Sequence, residues 1–293
     1  GTSPALAWRT LRRASEVALR PGDGLLLERG AVWRAGPGLG DAGRDDGTGL
    51  ALGAPNQALL AAYGNSSLPR PRIEVLNAVN RSTCLSLTNA NAFTVSGIAF
   101  AGCTVGVHFS QTLASTSKLA VESCFFSDIK APIDRLKPDP GTGDAGWGVA
   151  IFFTGENHSC ASSSGWCPAN TKAAHVRVSN NVGVRLDSFV ANPGLAMADA
   201  AFTANTVEHC AYNCYNVGAN SDMPVRDLII ADNVFLRDVP QALYVFGVCD
   251  VNLGDVTGAV VRRNDFNGRG ESEGGVDGCA MVAAGLGTGI ELS

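Results

Sequence analysis

The chain has 293 residues, 45% hydrophobic, 17% charged and 7% aromatic, with 35 glycines and a net charge of −5 at neutral pH. That length allows one long domain or two, and so much glycine suits a fold of tight turns. The acidic balance argues against general nucleic-acid binding, which shows a basic face, and no apolar run is long enough to span a membrane.

Residues Trp8 to Ala18 place Leu11, Ala14, Val17 and Ala18 on one face of a short helix. Pro21-Gly22-Asp23-Gly24 then turns the chain into a strand at Leu25–Leu27. A helix here covers the open end of a stack of strands, whose free backbone groups would otherwise pair with another chain. Ala35 to Gln57 is a Gly- and Asp-rich excursion. Its Asp41, Asp45 and Asp46 leave calcium open as a ligand, but they lack the glutamate and regular alternation of an EF-hand loop, and a solvated loop is the simpler reading. Strands are expected near Leu59–Tyr63, Ile73–Leu76 and Cys84–Leu87.

From Leu119 to Phe266 one pattern returns: a few apolar residues, then Asn or Cys, one residue, and Phe or Val. Its copies are Leu119–Phe126, Val176–Val182, Ala201–Val207, Leu228–Phe235 and Ala259–Phe266. With Cys124, Asn180, Asn205, Asn233 and Asn264 as equivalents, the spacings are 56, 25, 28 and 31. The first equals two units, with Trp147–Thr154 as apolar material for the one between, and Ser96–Phe100 lies 26 residues upstream of Cys124. Such spacing marks a solenoid. Its segments are short and rich in Val, Ile and Phe, and no amphipathic stretch of helical length separates them, so the repeat is a coil of strands and turns. A turn Asn at one place in each coil hydrogen-bonds to the next, forming a ladder. Val121, Val178, Phe202, Ile229 and Val260 are expected to point inward as one apolar column, so that Ile229→Asp prevents folding.

Trp8–Gly30 (WRTLRRASEVALRPGDGLLLERG), Ala58–Gly64 (ALLAAYG) with Pro71-Arg72-Ile73, and Phe93–Phe100 (FTVSGIAF) carry a resemblance. The sequence resembles the secreted right-handed parallel β-helix (pectin-lyase-like) proteins, best known as polysaccharide lyases and related carbohydrate-active enzymes. The resemblance implies an all-β fold, a right-handed parallel β-helix with a short N-terminal capping helix. Residues 1–293 then form a single domain, with 1–64 as cap and first strands and 65–293 as coils with inserted loops. These stretches are architectural. The Asn-Thr-Asp and Gly-His-Gly of polygalacturonase-type hydrolases, the Asp-Pro-His-Glu of mannuronan epimerases and the Asp-His of pectate lyases are all missing from the sequence.

The longest inserts are read as Asp134–Gly146, Glu156–Lys172, Ala191–Asp199, Gly218–Arg226 and Asn267–Gly278, and in repeat folds such loops crowd onto one binding face. Four residues past the ladder stand Asp128, His209 and Arg237; five past stand Arg185 and Asp238. Stacked coils would make His209 and Arg237 neighbours, with Arg185 flanking them and Tyr212 further along the same turn. On a uronic-acid glycan, Arg237 helped by Arg185 would neutralise the carboxylate and acidify the adjacent C–H. His209 or Tyr212 would remove the proton, with Lys130 as reserve base. Charged pairs also decorate any solvated β-helix face, so two functions stand side by side. One is an extracellular lyase cleaving an anionic polysaccharide by β-elimination; the other is a non-catalytic cell-surface or cell-wall glycan-binding module. Nine cysteines and sequons at Asn65, Asn80 and Asn157 point to a secreted, glycosylated chain. Cys160 and Cys167 close a Ser- and Gly-rich loop as the favoured disulfide, Cys124 reads as a packed thiol, and Cys210 with Cys214 leaves metal binding open.

Overall fold

The computed structural model describes residues 8–36, 48–75, 82–130, 148–155, 171–210, 213–218, 224–236, 249–254, 256–267, 279–283 and 291–293. The apolar runs form strands, and each strand pairs in parallel with its equivalent one coil on. The chain visits three sheets in turn. Sheet A collects Gly24–Glu28, Asn56–Tyr63, Asn91–Ser96, Ala120–Glu122, Lys172–Ser179, Ala196–Thr203, Val225–Ala231, Val260–Arg262 and Glu291–Leu292. Sheet B collects Val32–Ala35, Arg72–Val75, Ala99–Ala101, Phe125–Ser127, Val182–Leu186, Thr206–Cys210, Val234–Leu236 and Asp265–Asn267. Sheet C runs from Thr48–Gly53 through Thr83–Thr88, Val105–Gln111, Val149–Gly155, Ser188–Gly194, Tyr215–Val217 and Cys249–Leu253 to Cys279–Ala283. This is a parallel β-helix, all β apart from one short helix.

That helix is Leu11–Ser15, shorter than the apolar face of Trp8 to Ala18 suggested. Thr10 caps it by accepting from the Arg13 backbone N–H, Leu11 and Ala14 are buried, and Ser15 Oγ accepts from Ala51 N on the first sheet C strand. Val17 and Ala18 lie past its end, half-buried and exposed.

Sheet A turns into sheet B through two residues. The first has positive φ in successive coils: Gly97, Ser123, Asn180, Ala204, Asp232 and Arg263. The second points into the stack and builds the ladder. Cys124 N donates to Asn181 Oδ1 at 2.9 Å, Asn181 N to Asn205 Oδ1 at 3.0 Å, Asn205 N to Asn233 Oδ1 at 3.0 Å, and Asn233 N to Asn264 Oδ1 at 3.0 Å. The Nδ2 of Asn181, Asn205 and Asn233 repeats the step, and that of each of the four Asn also donates to a carbonyl one coil back, as Asn205 does to Val178 O. The ladder residue is therefore Asn181, and Asn180 is the left-handed residue before it. The sequence pattern misleads there because Gly183 takes the inward place held elsewhere by Phe126, Val207 and Phe235. A Cβ on Gly183 would stand 2.6 Å from Leu186 Cδ1 and 2.9 Å from the Phe189 ring, which fill that space instead.

The apolar column is Val121, Val178, Phe202, Ile230 and Val261, all buried and in register. Ile229 and Val260 are half-buried on the outer face, so the expected column slips by one residue in the last two coils. Runs such as Leu228-Ile229-Ile230 are apolar on both faces and hide the alternation that would have fixed the register. Trp147–Thr154 supplies no coil of its own. Val149–Gly155 is the sheet C strand of the coil that contains Cys124, and the wide spacing is one coil with long connections. The expected loop at Ala191–Asp199 is also replaced, by two strands meeting at buried Leu195. Inside, stacked rings run along the axis, among them Phe100–Phe126, Phe109–Phe153 and Phe235–Phe266. Each fully buried side chain of this kind contributes about 1.5–3 kcal/mol.

Candidate functional site

Among the described residues, chemistry-bearing groups that include a histidine gather in three places on the outer surface. The first is the end of sheet B, where the sequence placed the site. Strand register aligns Ser127 with Val184 and Val184 with Glu208, and aligns Leu186 with Cys210. Asp128, Arg185 and His209 therefore occupy one position in three successive coils, about 4.8 Å apart. Arg185 belongs with Asp128 and His209, one place earlier than the Asn180-based count put it. Asp128 and Arg185 both have positive φ, and Arg185 clasps Asp128 through Nε–Oδ1 at 2.6 Å and Nη2–Oδ2 at 2.7 Å. That bond, aided by the charges of Lys130 and Arg72, holds the Asp128 carboxyl below its ordinary range. Lys130 is exposed two residues beyond Asp128. Tyr212 and Arg237 lie outside the described residues, and of His209 only the backbone, in strand Thr206–Cys210, is described.

Cys210 and Cys214 form a disulfide, which replaces the metal option; it ties the end of that sheet B strand to the start of the sheet C strand Tyr215–Val217. A second disulfide, Cys84–Cys103, joins neighbouring coils and had no signal in the sequence beyond the number of cysteines. Cys124 is a buried free thiol, its pKa pushed up to about 12 by burial. Disulfides belong to oxidising compartments, and among the described residues no helix is long and apolar enough to cross a membrane. Cys160, Cys167, Asn80, Asn157, Asp41, Asp45 and Asp46 lie outside the described residues. Asn65 is exposed, and its Oδ1 accepts from Ser67 N and Ser67 Oγ. Among the described residues no cluster of three His, Cys, Asp or Glu is placed to hold a metal ion.

The second place is the outer face of sheet C. His108 Nε2 bonds to Thr154 Oγ1 at 2.8 Å and its ring lies 5.2 Å from that of Phe152 on the neighbouring strand. Its only sequence signal was a polar residue alternating with inward Val107 and Phe109. The third place is sheet A. A second row of left-handed residues, Gln57, Ala92, Lys118, His175, Asp199 and Asp227, bends this sheet in successive coils. His175 Nδ1 bonds to Asp199 Oδ2, and Arg177 Nη2 approaches Asp199 Oδ1 at 2.8 Å. The His175 bond first, and Arg177 after it, hold the Asp199 carboxyl below its ordinary range. Both partners of that pair are well exposed on the outer face of the sheet, the setting of a surface ion pair rather than of an enclosed reaction site.

No family model and no curated protein matches the chain. Among solved structures it is similar to a GH136 lacto-N-biosidase from Eubacterium ramulus. The selenomethionine derivative of that protein gives a TM-score of 0.49 at 12% identity, covering 99% of this chain and 65% of that one. The native protein gives 0.43 at 14% identity with the same coverage. An alginate lyase from a Paenibacillus strain gives 0.36 at 14% identity, covering 95% of this chain and 97% of that one. The likeness is distant, and the chain spans about two thirds, 65%, of the length of the lacto-N-biosidase it matches.

Proposed function

We propose that the chain is an extracellular polysaccharide-active enzyme, a lyase that cleaves an anionic, uronic-acid-containing glycan by β-elimination. The observation that supports this reading is the register at the end of sheet B, where Arg185 stands between Asp128 and His209 with Lys130 alongside. A histidine position and two cationic residues thus share one edge of the stack. In this reaction a cation neutralises the substrate carboxylate, a base removes the proton from the adjacent carbon, and the glycosidic oxygen leaves with a proton. Arg237, helped by Arg185, takes the carboxylate; His209 or Tyr212 takes the proton, with Lys130 in reserve.

One observation favours the second reading, a glycan-binding module without catalysis. Two of the three guanidinium nitrogens of Arg185, Nε and Nη2, are already bonded to Asp128, so its charge is balanced before a substrate arrives. The test is incubation with alginate, pectate and glycosaminoglycans while following the ultraviolet absorbance of unsaturated sugars. A lyase gives rising absorbance, and His209→Ala or Tyr212→Phe lowers turnover by about 10²–10⁴-fold with the fold intact. Arg237→Ala also weakens binding. Unchanged rates in both base variants would move the site elsewhere. No absorbance from any substrate, with binding retained, would replace the enzyme with the module.

A further inference from the structure

Arginines crowd the outer face of sheet B in its first two coils. Ala35, Ile73 and Val75 lie in the core, so Arg34, Arg72 and Glu74, which alternate with them, face outward. Arg34 Nε and Arg72 Nη2 share the one carboxylate of Glu74, at 3.1 and 2.8 Å, and Arg72 Nε is buried with no acceptor. Exposed Arg70 runs along the stack, its Nε donating at 3.0 Å to Ser123 O two coils on. The coil it passes over raises no large side chain: Ala99 and Ala101 stand at the outward positions, and a Cβ on Gly102 would lie 2.8 Å from Val75 O. The next two coils add Lys130 and the Arg185–Asp128 pair. Among the described residues the face thus holds five cationic side chains against two carboxylates, on a protein whose net charge is −5. Further along, Glu208 and Asp265 reverse the sign.

We propose that this face is a binding track for an extended polymer of uronic acids, whose carboxylates are taken by Arg34, Arg70 and Arg72 while the chain continues toward Lys130 and Arg185. The track rests on the anionic-glycan reading above and adds to it an anchoring site remote from the reacting residues. Its cations are spread over coils about 4.8 Å apart instead of converging on one point, which suits a repeating polyanion and not a compact anion. The planar fork of arginine matches a carboxylate. Along the described sheet B strands from Val32 to Ser127 a single aromatic residue, half-buried Phe125, stands at an outward position, too few for a run of stacked bases. Single-stranded nucleic acid binds through stacked rings as well as charge, so the glycan is the better fit.

The experiment is affinity electrophoresis of the wild type and an Arg34→Ala/Arg70→Ala double variant through gels containing alginate, pectate, dextran or single-stranded DNA. Arg34 and Arg70 are exposed, so the double variant is expected to keep the cooperative melt of the wild type, which separates lost binding from lost folding. The wild type is retarded by alginate or pectate and not by dextran, and salt weakens the retardation. The double variant loses most of the retardation, a several-fold rise in apparent Kd. Arg72→Lys, which keeps the charge but not the fork, falls between them. Equal retardation of variant and wild type, no retardation of the wild type by any polyuronate, or stronger retardation by DNA would each overturn the track. If the wild type cleaves nothing while the variants still differ in retardation, the track stands and the lyase reading falls. If it cleaves polyuronates while retardation is equal, the lyase stands and the track falls.

Discussion

Between sheets A and B the chain turns in two residues, one with positive φ and one aimed into the stack, and it repeats that turn from Gly97 to Arg263. Between sheets B and C it takes anything from the single residue Asp187 to the whole of 128–148. The first corner hands its geometry on through hydrogen bonds, each Asn fixing the next. The second has no common turn to hand on, and there both described disulfides are found, Cys84–Cys103 and Cys210–Cys214. A repeated corner stores stability in register. A variable corner is freed from register, is tied covalently, and carries Asp128, Lys130 and Arg185.

If that division holds, damage should grow with distance from the variable corner. The largest effect is expected in the inner column, where Ile230 is fully buried. Ile230→Asp places an unpaired charge in the core and should abolish cooperative folding, whereas Ile229→Asp, on the outer face, should melt cooperatively. Circular-dichroism melts of the two variants would break the register given above if their order were reversed. The next effect lies in the ladder. Asn233 Oδ1 accepts from Asn205 N, Asn205 Nδ2 and the Tyr215 hydroxyl. Asn233→Ala leaves Asn205 N and the Tyr215 hydroxyl without that acceptor, at about 1–3 kcal/mol each. Asn264→Ala, at the half-buried end of the ladder, should cost less in denaturant titrations. Equal losses would mean that the ladder does not carry the corner.

The smallest effect belongs to the variable corner. Asp128 is held below its ordinary pKa of 3.8, first by the Arg185 bond. Its contribution is therefore complete above the unfolded-state value and is lost as pH falls through the lower folded-state value. Asp128→Asn should cost a few tenths of a kcal/mol at neutral pH for a pair this exposed. Stability curves of variant and wild type should converge as pH drops below 3.8. A cost as large as that of Asn233→Ala would erase the distinction between the corners.

The repeat was legible because Asn at a corner and Val, Ile or Phe beside it are chemical necessities of stacking, and four of the five ladder residues could be read directly. The fifth failed by one place because Gly183 removed the inward side chain that marks the phase, a gap filled by Phe189 from another sheet. That substitution is tertiary, and no local pattern records it. The same shift put Arg185 out of line with Asp128, hiding an ion pair that the corrected register brings together. Ile229 and Ile230 could not be told apart because both are apolar and only their surroundings differ. The cationic face of sheet B was illegible for another reason: Arg34 lies 40 residues from Glu74 and meets the Arg72–Glu74 pair only when two coils stack.

Tyr215 has a mechanical consequence. Rooted on sheet C, it crosses the interior so that its hydroxyl accepts from Asn205 Nδ2 at 3.1 Å and donates to Asn233 Oδ1 at 3.0 Å. A hollow prism with three walls shears or flattens easily unless something braces one wall against the opposite corner. Tyr215 is such a strut, and its ring is wedged among Phe189, Phe202 and Phe235 so that it cannot buckle. It stands in the same coil as His209, at the end of the segment closed by Cys210 and Cys214. The cross-section is therefore braced at the coil on which the proposed chemistry depends.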